Sequence, residues 1–257
     1  MVIRTGKEMK DKQHFWTKKF WQSALQSNSP EQQQMSDAFG LYLLLALSGG
    51  SMDAYSYLFR GKVFANAQTG NVLLMAVHLA GREWKVAGRY ATPILAFVAG
   101  IILADWIRHY VNREYLDNWP QILEELNPSW HWRQCTVLLE IIALSLACIM
   151  PLNLNFLANM LSSFACGLQV ESFRALSGHS IATTMCIGNM RSGTYYLDRY
   201  WKTGDGKYLI QAIVYYAIIL FFALGAVIES ILIAYFGAAA LLFSVIILII
   251  VALLMFL

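Results

Sequence analysis

The 257-residue chain is 58% hydrophobic and 14% charged, with a mean hydropathy of +0.48, against roughly 45–50% apolar and 25% charged in soluble domains. That balance excludes an ordinary soluble domain and leaves the membrane class. The net charge of +3 does not describe a nucleic-acid binder, and where Lys and Arg fall along the chain matters more than their sum.

The first 36 residues are polar and carry Arg4, Lys7, Lys10, Lys12, Lys18 and Lys19 among Phe15, Trp16, Phe20 and Trp21. On a helical wheel Trp16, Phe20 and Ala24 share one side. This is the pattern of a segment lying on an anionic lipid surface, and equally that of a disordered basic tail. No signal peptide is visible, because the first long apolar run starts near Ala38.

Apolar segments follow at 38–58, 63–80, 90–108, 134–151, 155–176, 181–200, 208–232 and 237–257. Each approaches the roughly 17–25 residues that cross a hydrocarbon core. The expected fold is an all-α polytopic membrane protein of about eight transmembrane helices, the first 36 residues forming a cytoplasmic tail. Segments 63–80 and 181–200 are the weakest, since their polar residues also suit short, tilted or partly re-entrant helices. Six or seven spans are the alternatives.

Under eight spans, one side receives the tail, Arg82, Lys85, Arg89, Arg199, Lys202 and Lys207. The other receives Arg60, Lys62, Arg174 and the 109–133 link with its Trp119-Pro120 and Trp130-His131-Trp132. The positive-inside rule then makes both termini cytoplasmic. The four cysteines, Cys135, Cys148, Cys166 and Cys186, lack metal-binding spacing and read as small buried hydrophobes. Neither a metal nor another cofactor is expected.

Sliding the chain against itself by 118 residues aligns Gly49 with Gly167, Asp53 with Glu171, Val63 with Ile181, Gly70 with Gly188 and Asn71 with Asn189. A slightly longer shift aligns Phe97-Val98-Ala99-Gly100 with Phe222-Ala223-Leu224-Gly225. The sequence therefore divides into two related halves, 37–152 and 153–257. Four spans per half would make the repeats parallel, whereas three per half would make them inverted.

The set Gly49-Gly50-x-x-Asp53-Ala54-x-x-Tyr57, Val63-Phe64-Ala65-Asn66-x-x-Thr69-Gly70-Asn71, Phe97-x-x-Gly100, Gly167-Leu168-Gln169 and Gly188-Asn189 resembles the YoaK family of bacterial integral membrane proteins, a domain-of-unknown-function family. The resemblance covers about residues 38 to 250. It implies a polytopic inner-membrane protein of uncharacterised role, with transport among the roles it allows, and supplies no catalytic or binding residues. This chain departs from the pattern at Ile187, where the second half usually resembles Thr-Gly, and in its basic aromatic tail.

Polar residues inside apolar runs are expensive and need a partner or a function. Gly50, Asp53 and Tyr57 share one helical face, with Asp53 either lining a path or capping the next turn or pairing with Arg60 or Lys62. Asn66, Thr69 and Gly70 fall on one arc of the second segment, while Asn71 points elsewhere. Thr184, Gly188, Arg191 and Tyr195 repeat that face in the sixth, beside Asn189. Arg191 calls for a carboxylate, with Glu171, Glu140, Glu229 and Asp53 as candidates, while Glu171 and Arg174 are spaced to pair with each other.

The candidate substrate path is Asp53, Tyr57, Asn66, Thr69, Gly70, Asn71, Gln169, Glu171, Thr184, Gly188, Asn189 and Arg191, with Glu140, Arg174 and Glu229 as buried structural ionisable residues. The leading function is a secondary transporter or channel-like protein for a small solute or ion, partnered by the lipid bilayer and not by nucleic acid. A membrane-embedded enzyme acting on a lipid is the second class, although the chain has no HExxH, GxSxG, P-loop or DxxxD pattern. A non-catalytic interaction or sensing protein is the third.

Overall fold

The computed structural model describes residues 39–111, 132–176 and 179–255. The basic tail and the aromatic link across 112–131 lie outside the described residues. Eight α-helices are described: α1 Phe39–Phe59, α2 Gln68–Ala80, α3 Trp84–Val111, α4 Trp132–Ile149, α5 Asn155–Ser172, α6 Cys186–Thr203, α7 Gly206–Phe236 and α8 Leu242–Met255. A 3-10 turn, Gly237–Leu241, joins α7 to α8, and a minimal antiparallel pair, β1 Ala175–Leu176 with β2 His179–Ser180, follows α5.

Among the described residues three stretches are long and apolar enough to cross a membrane: Trp84–Tyr110, Trp132–Ile149 and Gly206–Met255. The last includes α7, the 3-10 turn and α8. These apolar helices point to a membrane protein. The other helices are shorter or more polar, and α2 is the shortest. Its 13 residues rise only about 20 Å at 1.5 Å each, well under the roughly 30 Å of a hydrocarbon core.

The chain leaves α1 through a tight turn in which Gly61 has φ +97° and Lys62 φ +64°, the left-handed region where glycine carries no Cβ penalty. It then runs without helix through Lys62 to Ala67 and turns back along α1. Asn66 thereby sits beside Gly49, at the middle of that helix, where its Nδ2 donates to the Gly49 carbonyl at 2.9 Å. Only then does α2 begin. The expected helix over 63–80 is thus an extended stretch followed by a half-length helix, and the shared arc of Asn66 with Thr69 and Gly70 does not form.

A comparable non-helical stretch precedes α6. After β2 the chain runs through Ile181 to Met185, placing Thr183 within 3.0 Å of Gln169 Nε2 and Thr184 against Gly49. α6 starts at Cys186, so Thr184 also precedes its helix. α6 ends at Gly204, with φ +68°, and Asp205 caps α7 by accepting from Lys207 N at 3.0 Å. The neighbouring Lys207 holds the Asp205 carboxyl below its ordinary value.

Close approaches between backbones fix two helix crossings. A Cβ added to Gly50 would lie 1.8 Å from Phe222 O, and one on Gly225 would lie 1.9 Å from Leu47 O, so α1 and α7 meet backbone to backbone. A Cβ on Gly167 would lie 2.2 Å from Phe97 O, and one on Gly100 would lie 2.3 Å from Phe164 O, which puts α3 and α5 in the same relation. Small residues permit such contact, and van der Waals packing then holds helices together where lipid gives no hydrophobic drive.

Helix directions follow from the long-range contacts. Along α1 and α5, Gln169 Nε2 donates to Leu45 O, Cys166 Sγ meets Met52 Sδ, and Asn159 Nδ2 donates to Arg60 O. One set of numbers rises while the other falls, so these two helices are antiparallel. α3 ends beside the end of α5 and the start of α4, where Arg108 lies 3.8 Å from Glu171 and over the Trp132 ring. α4 ends beside the end of α1, where Arg60 donates to Ala147 O. α8 ends beside the start of α4, with Gln134 donating to Met255 O.

Candidate functional site

The middle of the molecule is built on α1. Asp53 is 9% exposed, and its Oδ1 accepts from the backbone N of Asn66 at 2.7 Å and of Ala67 at 3.4 Å. α2 has no side-chain cap of its own at Ala67. Asp53, 14 positions upstream, therefore serves the N-terminal end of α2, where unsatisfied N–H groups and the helix dipole favour a carboxylate. Of the structural roles open to Asp53, a capping contact is present. Neither Arg60 nor Lys62 pairs with it among the described residues.

Asn71 holds the same segment from the other side. Its Oδ1 accepts from Phe64 N at 3.0 Å and its Nδ2 donates to Phe64 O at 2.7 Å, which clamps both backbone groups of Phe64. Asn189 treats Ala182 in the same way, accepting from its N at 3.4 Å and donating to its O at 2.6 Å. Both clamps span seven residues and tie the non-helical stretch to the helix that follows it. A buried side-chain amide supplies both a donor and an acceptor, which a hydroxyl or carboxylate does not do in that geometry.

Several predicted residues therefore meet: Asn66 and Thr184 lie against Gly49, Asp53 holds the backbone of Asn66, and Gln169 reaches Thr183, the neighbour of Thr184. Others do not join them. Tyr57 is partly exposed, stacks on Phe64 at 4.8 Å and lies under Lys62 Nζ. Thr69 is exposed. Gly70 leaves room for the Phe64 ring, which a Cβ would approach to 2.9 Å, so its small size serves the local fold and not a helix–helix contact. Gly188 is exposed with open space around it.

Glu171, aligned with Asp53, has a different role. Its Oε1 lies 3.0 Å from Arg174 and 3.8 Å from Arg108, so the expected i,i+3 pair forms and a third residue joins it. Arg174 is more than half exposed and is not buried as expected. Arg191 is exposed and makes no ion pair with Glu171, Glu140, Glu229 or Asp53 among the described residues. Instead it lines a cavity of about 260 Å³ with Ser192, Tyr195, Tyr196 and Tyr215.

Glu140 and Glu229 are both fully buried, and neither is ion-paired among the described residues. Both carboxylate oxygens of Glu140 lack a hydrogen-bond partner there. Glu229 Oε2 accepts from Ser51 Oγ at 2.7 Å, and Ser244 Oγ continues the chain to Ser51 Oγ at 2.8 Å. The four cysteines are free, and the described residues contain no cluster of three His, Cys, Asp or Glu that would hold a metal.

Sequence reasoning placed Arg60 in an exterior loop, and the structure buries it to 1% exposure. Its Nε donates to Tyr55 Oη at 2.9 Å, and its terminal nitrogens donate to Ala147 O at 3.0 Å, Asn155 Oδ1 at 3.1 Å and Pro151 O at 3.5 Å. The last carbonyls of α4 carry the negative end of its dipole, so they serve where a carboxylate would otherwise be required. Asn155 and Asn159, polar residues opening an apolar run just after Pro151, were the available signal: Asn155 accepts from the guanidinium and Asn159 donates to Arg60 O.

The model of a family described as "protein of unknown function (DUF1275)" matches residues 41–254, and the chain belongs to that family. The match spans all eight described helices and agrees with the resemblance read from the glycine, asparagine and acidic motifs. None of the curated proteins matches the chain, and none of the solved structures does.

Proposed function

We propose that this protein is a secondary transporter or channel-like protein for a small solute, built from two inverted repeats of three crossings and one re-entrant half-helix each. The observation that carries it is the convergence of two non-helical stretches, 61–67 and 181–185, on Gly49 from opposite sides of the fold. Irregular backbone at membrane depth is tolerated where it is enclosed by protein or lines a cavity, and broken helices of this kind form solute and ion sites at repeat interfaces.

The directions support six crossings. α1 runs from a first face to a second. Residues 61–67 dip to the middle and α2 returns to the second face. α3 then crosses to the first face, α4 crosses back and α5 returns. On the first face residues 173–185 turn inward, α6 comes back out, and α7 and α8 make the last two crossings. The opposed directions of α1 and α5 are what inverted repeats require, and the proposal replaces eight parallel-repeat spans with this arrangement.

Three equivalences support the repeat. Phe64 with Asn71 corresponds to Ala182 with Asn189 at an offset of 118. Gly50 against Phe222 O corresponds to Gly167 against Phe97 O, and Leu47 O against Gly225 corresponds to Phe164 O against Gly100. The glycine register is thus 117 and joins Gly50, not Gly49, to Gly167. Each close crossing joins the first helix of one half to a helix of the other.

On this topology both termini share a face with Arg108, Arg133, Arg174, Arg199, Lys202 and Lys207 in addition to the basic tail, while Lys62, Arg82, Lys85 and Arg89 lie opposite. The positive-inside rule again makes the termini cytoplasmic, in a bacterial inner membrane. The Arg82–Arg89 link moves outside, and the end of α3 and the start of α4 face the cytoplasm. The cavity beside Arg191 is then a vestibule toward the cytoplasm. Flux in proteoliposomes against panels of small solutes tests the reading. Asp53→Asn and Arg191→Gln are expected to change flux, and transport left unchanged in both variants would remove these residues from the path.

A further inference from the structure

Buried oxygen atoms gather at a second place, where α1, α7 and α8 meet. Ser48, Ser51, Glu229 and Ser244 are each fully buried. Ser51 Oγ lies 2.7 Å from Glu229 Oε2, Ser244 Oγ lies 2.8 Å from Ser51 Oγ, and Ser244 Oγ lies 3.4 Å from Ser48 O. Glu229 Oε1 has no hydrogen-bond partner among the described residues, and neither has Ser48 Oγ.

Glu229 also lacks a cationic side chain within 4.0 Å among the described residues. Arg60, the buried guanidinium of the same end of the molecule, is committed to Tyr55, Ala147 O and Asn155. A buried carboxylate joined to two hydroxyls and a carbonyl presents oxygen acceptors with too few donors to match them. Two hydroxyl hydrogens, those of Ser51 and Ser244, face five oxygens: Glu229 Oε1 and Oε2, Ser51 Oγ, Ser244 Oγ and Ser48 O. Such an excess of hard oxygen ligands is the donor set of an alkali or alkaline-earth ion.

We infer that Ser48, Ser51, Glu229 and Ser244 form a binding site for a sodium-sized monovalent cation. The charge selects the valence: one carboxylate neutralises a single positive charge, whereas a divalent ion would leave a net charge in a low-dielectric interior. Oxygens around an ion at roughly 2.3–2.6 Å stand about 3.3–3.7 Å apart in octahedral geometry: the 3.4 Å contact of Ser244 Oγ with Ser48 O already has that spacing, and the ion would replace the 2.7 and 2.8 Å hydrogen bonds, opening each by about 0.5–1.0 Å. A larger potassium ion would need a wider opening still.

Within the transport reading the ion is the coupling ion, but its binding requires no solute, so either proposal can fail alone. The test uses purified full-length protein in detergent, with thermal unfolding followed against NaCl, KCl and choline chloride at matched ionic strength, and bound sodium counted with a radioactive tracer. Sodium is expected to raise the unfolding midpoint saturably and to bind near one ion per chain. Glu229→Gln, which keeps the shape and an acceptor for Ser51, should fold and lose both responses. Ser51→Ala and Ser244→Ala should weaken the apparent affinity at least tenfold. The inference is overturned if sodium and choline act alike on the wild-type protein, if acid alone stabilises it with no response to sodium, or if Glu229→Gln binds sodium as before.

Discussion

Replacing Asp53 with alanine removes the acceptor that holds the start of α2 at the middle of α1. Two backbone donors lose their partner, Asn66 N at 2.7 Å and Ala67 N at 3.4 Å. A buried donor left unsatisfied costs about 1–3 kcal/mol, and the longer bond belongs at the low end, which gives a total of roughly 2–4 kcal/mol. For a chain of this size, roughly 2–4 °C per kcal/mol converts that to a midpoint about 5–15 °C lower. Asp53→Asn keeps an acceptor oxygen and should lose less than half as much. Thermal unfolding in detergent measures the loss, and amide hydrogen exchange locates it: exchange should quicken across 63–71 before it quickens in α3 or α7. A midpoint within about 1 °C of wild type, or protection of 63–71 that is unchanged, would refute the capping role.

Arg60→Ala should be among the most damaging single changes, at about 3–5 kcal/mol, because Tyr55, Ala147 O and Asn155 lose a shared buried donor. Arg60→Lys should recover only part of that stability in the same unfolding assay, since an ammonium cannot span the same fork. Gly50→Val and Gly167→Val should each abolish accumulation of folded protein, read as monodisperse material on size exclusion, because an added Cβ would overlap a backbone carbonyl in either case. Gly188→Ala, with nothing within 4 Å, should be silent in that measurement. Asn71→Ala and Asn189→Ala should produce matched effects, each loosening its own stretch, 61–67 or 181–185, in hydrogen exchange and costing about 1–3 kcal/mol.

The membrane class was legible because burial in lipid imposes apolar composition along whole segments. The pairing of Gly100 with Gly225 and of Asn71 with Asn189 was legible for a related reason, whereas the offset of 118 matched Gly167 to Gly49 and missed Gly50. Backbone contact demands glycine at Gly50, Gly100, Gly167 and Gly225, and a two-sided clamp demands an amide at Asn71 and Asn189. The direction of each segment was not legible. Residues 63–80 are apolar enough to read as a span, and hydropathy has no term for an extended stretch that runs inward and a helix that comes back out. A capping role for Asp53 and the Glu171–Arg174 pair were both open in the sequence; what it hid is the third partner of Glu171, because Arg108 arrives from α3, far away in sequence. Arg60 looked interfacial because two of its four acceptors, Ala147 O and Pro151 O, are backbone carbonyls to which residue patterns are blind, and a third, Asn155, lies far away in sequence.

The most direct test of the architecture is the sidedness of the two ends of α2. In a chain whose four native cysteines are replaced, single cysteines at Lys62 and Arg82 are probed with a membrane-impermeant thiol reagent in intact cells and in inverted vesicles. A re-entrant half-helix puts both positions on the same side, labelled in cells and protected in inverted vesicles, with a cysteine at Trp201 showing the opposite pattern. Lys62 and Arg82 labelling from opposite sides would make residues 63–80 a full crossing and would contradict the inverted-repeat account.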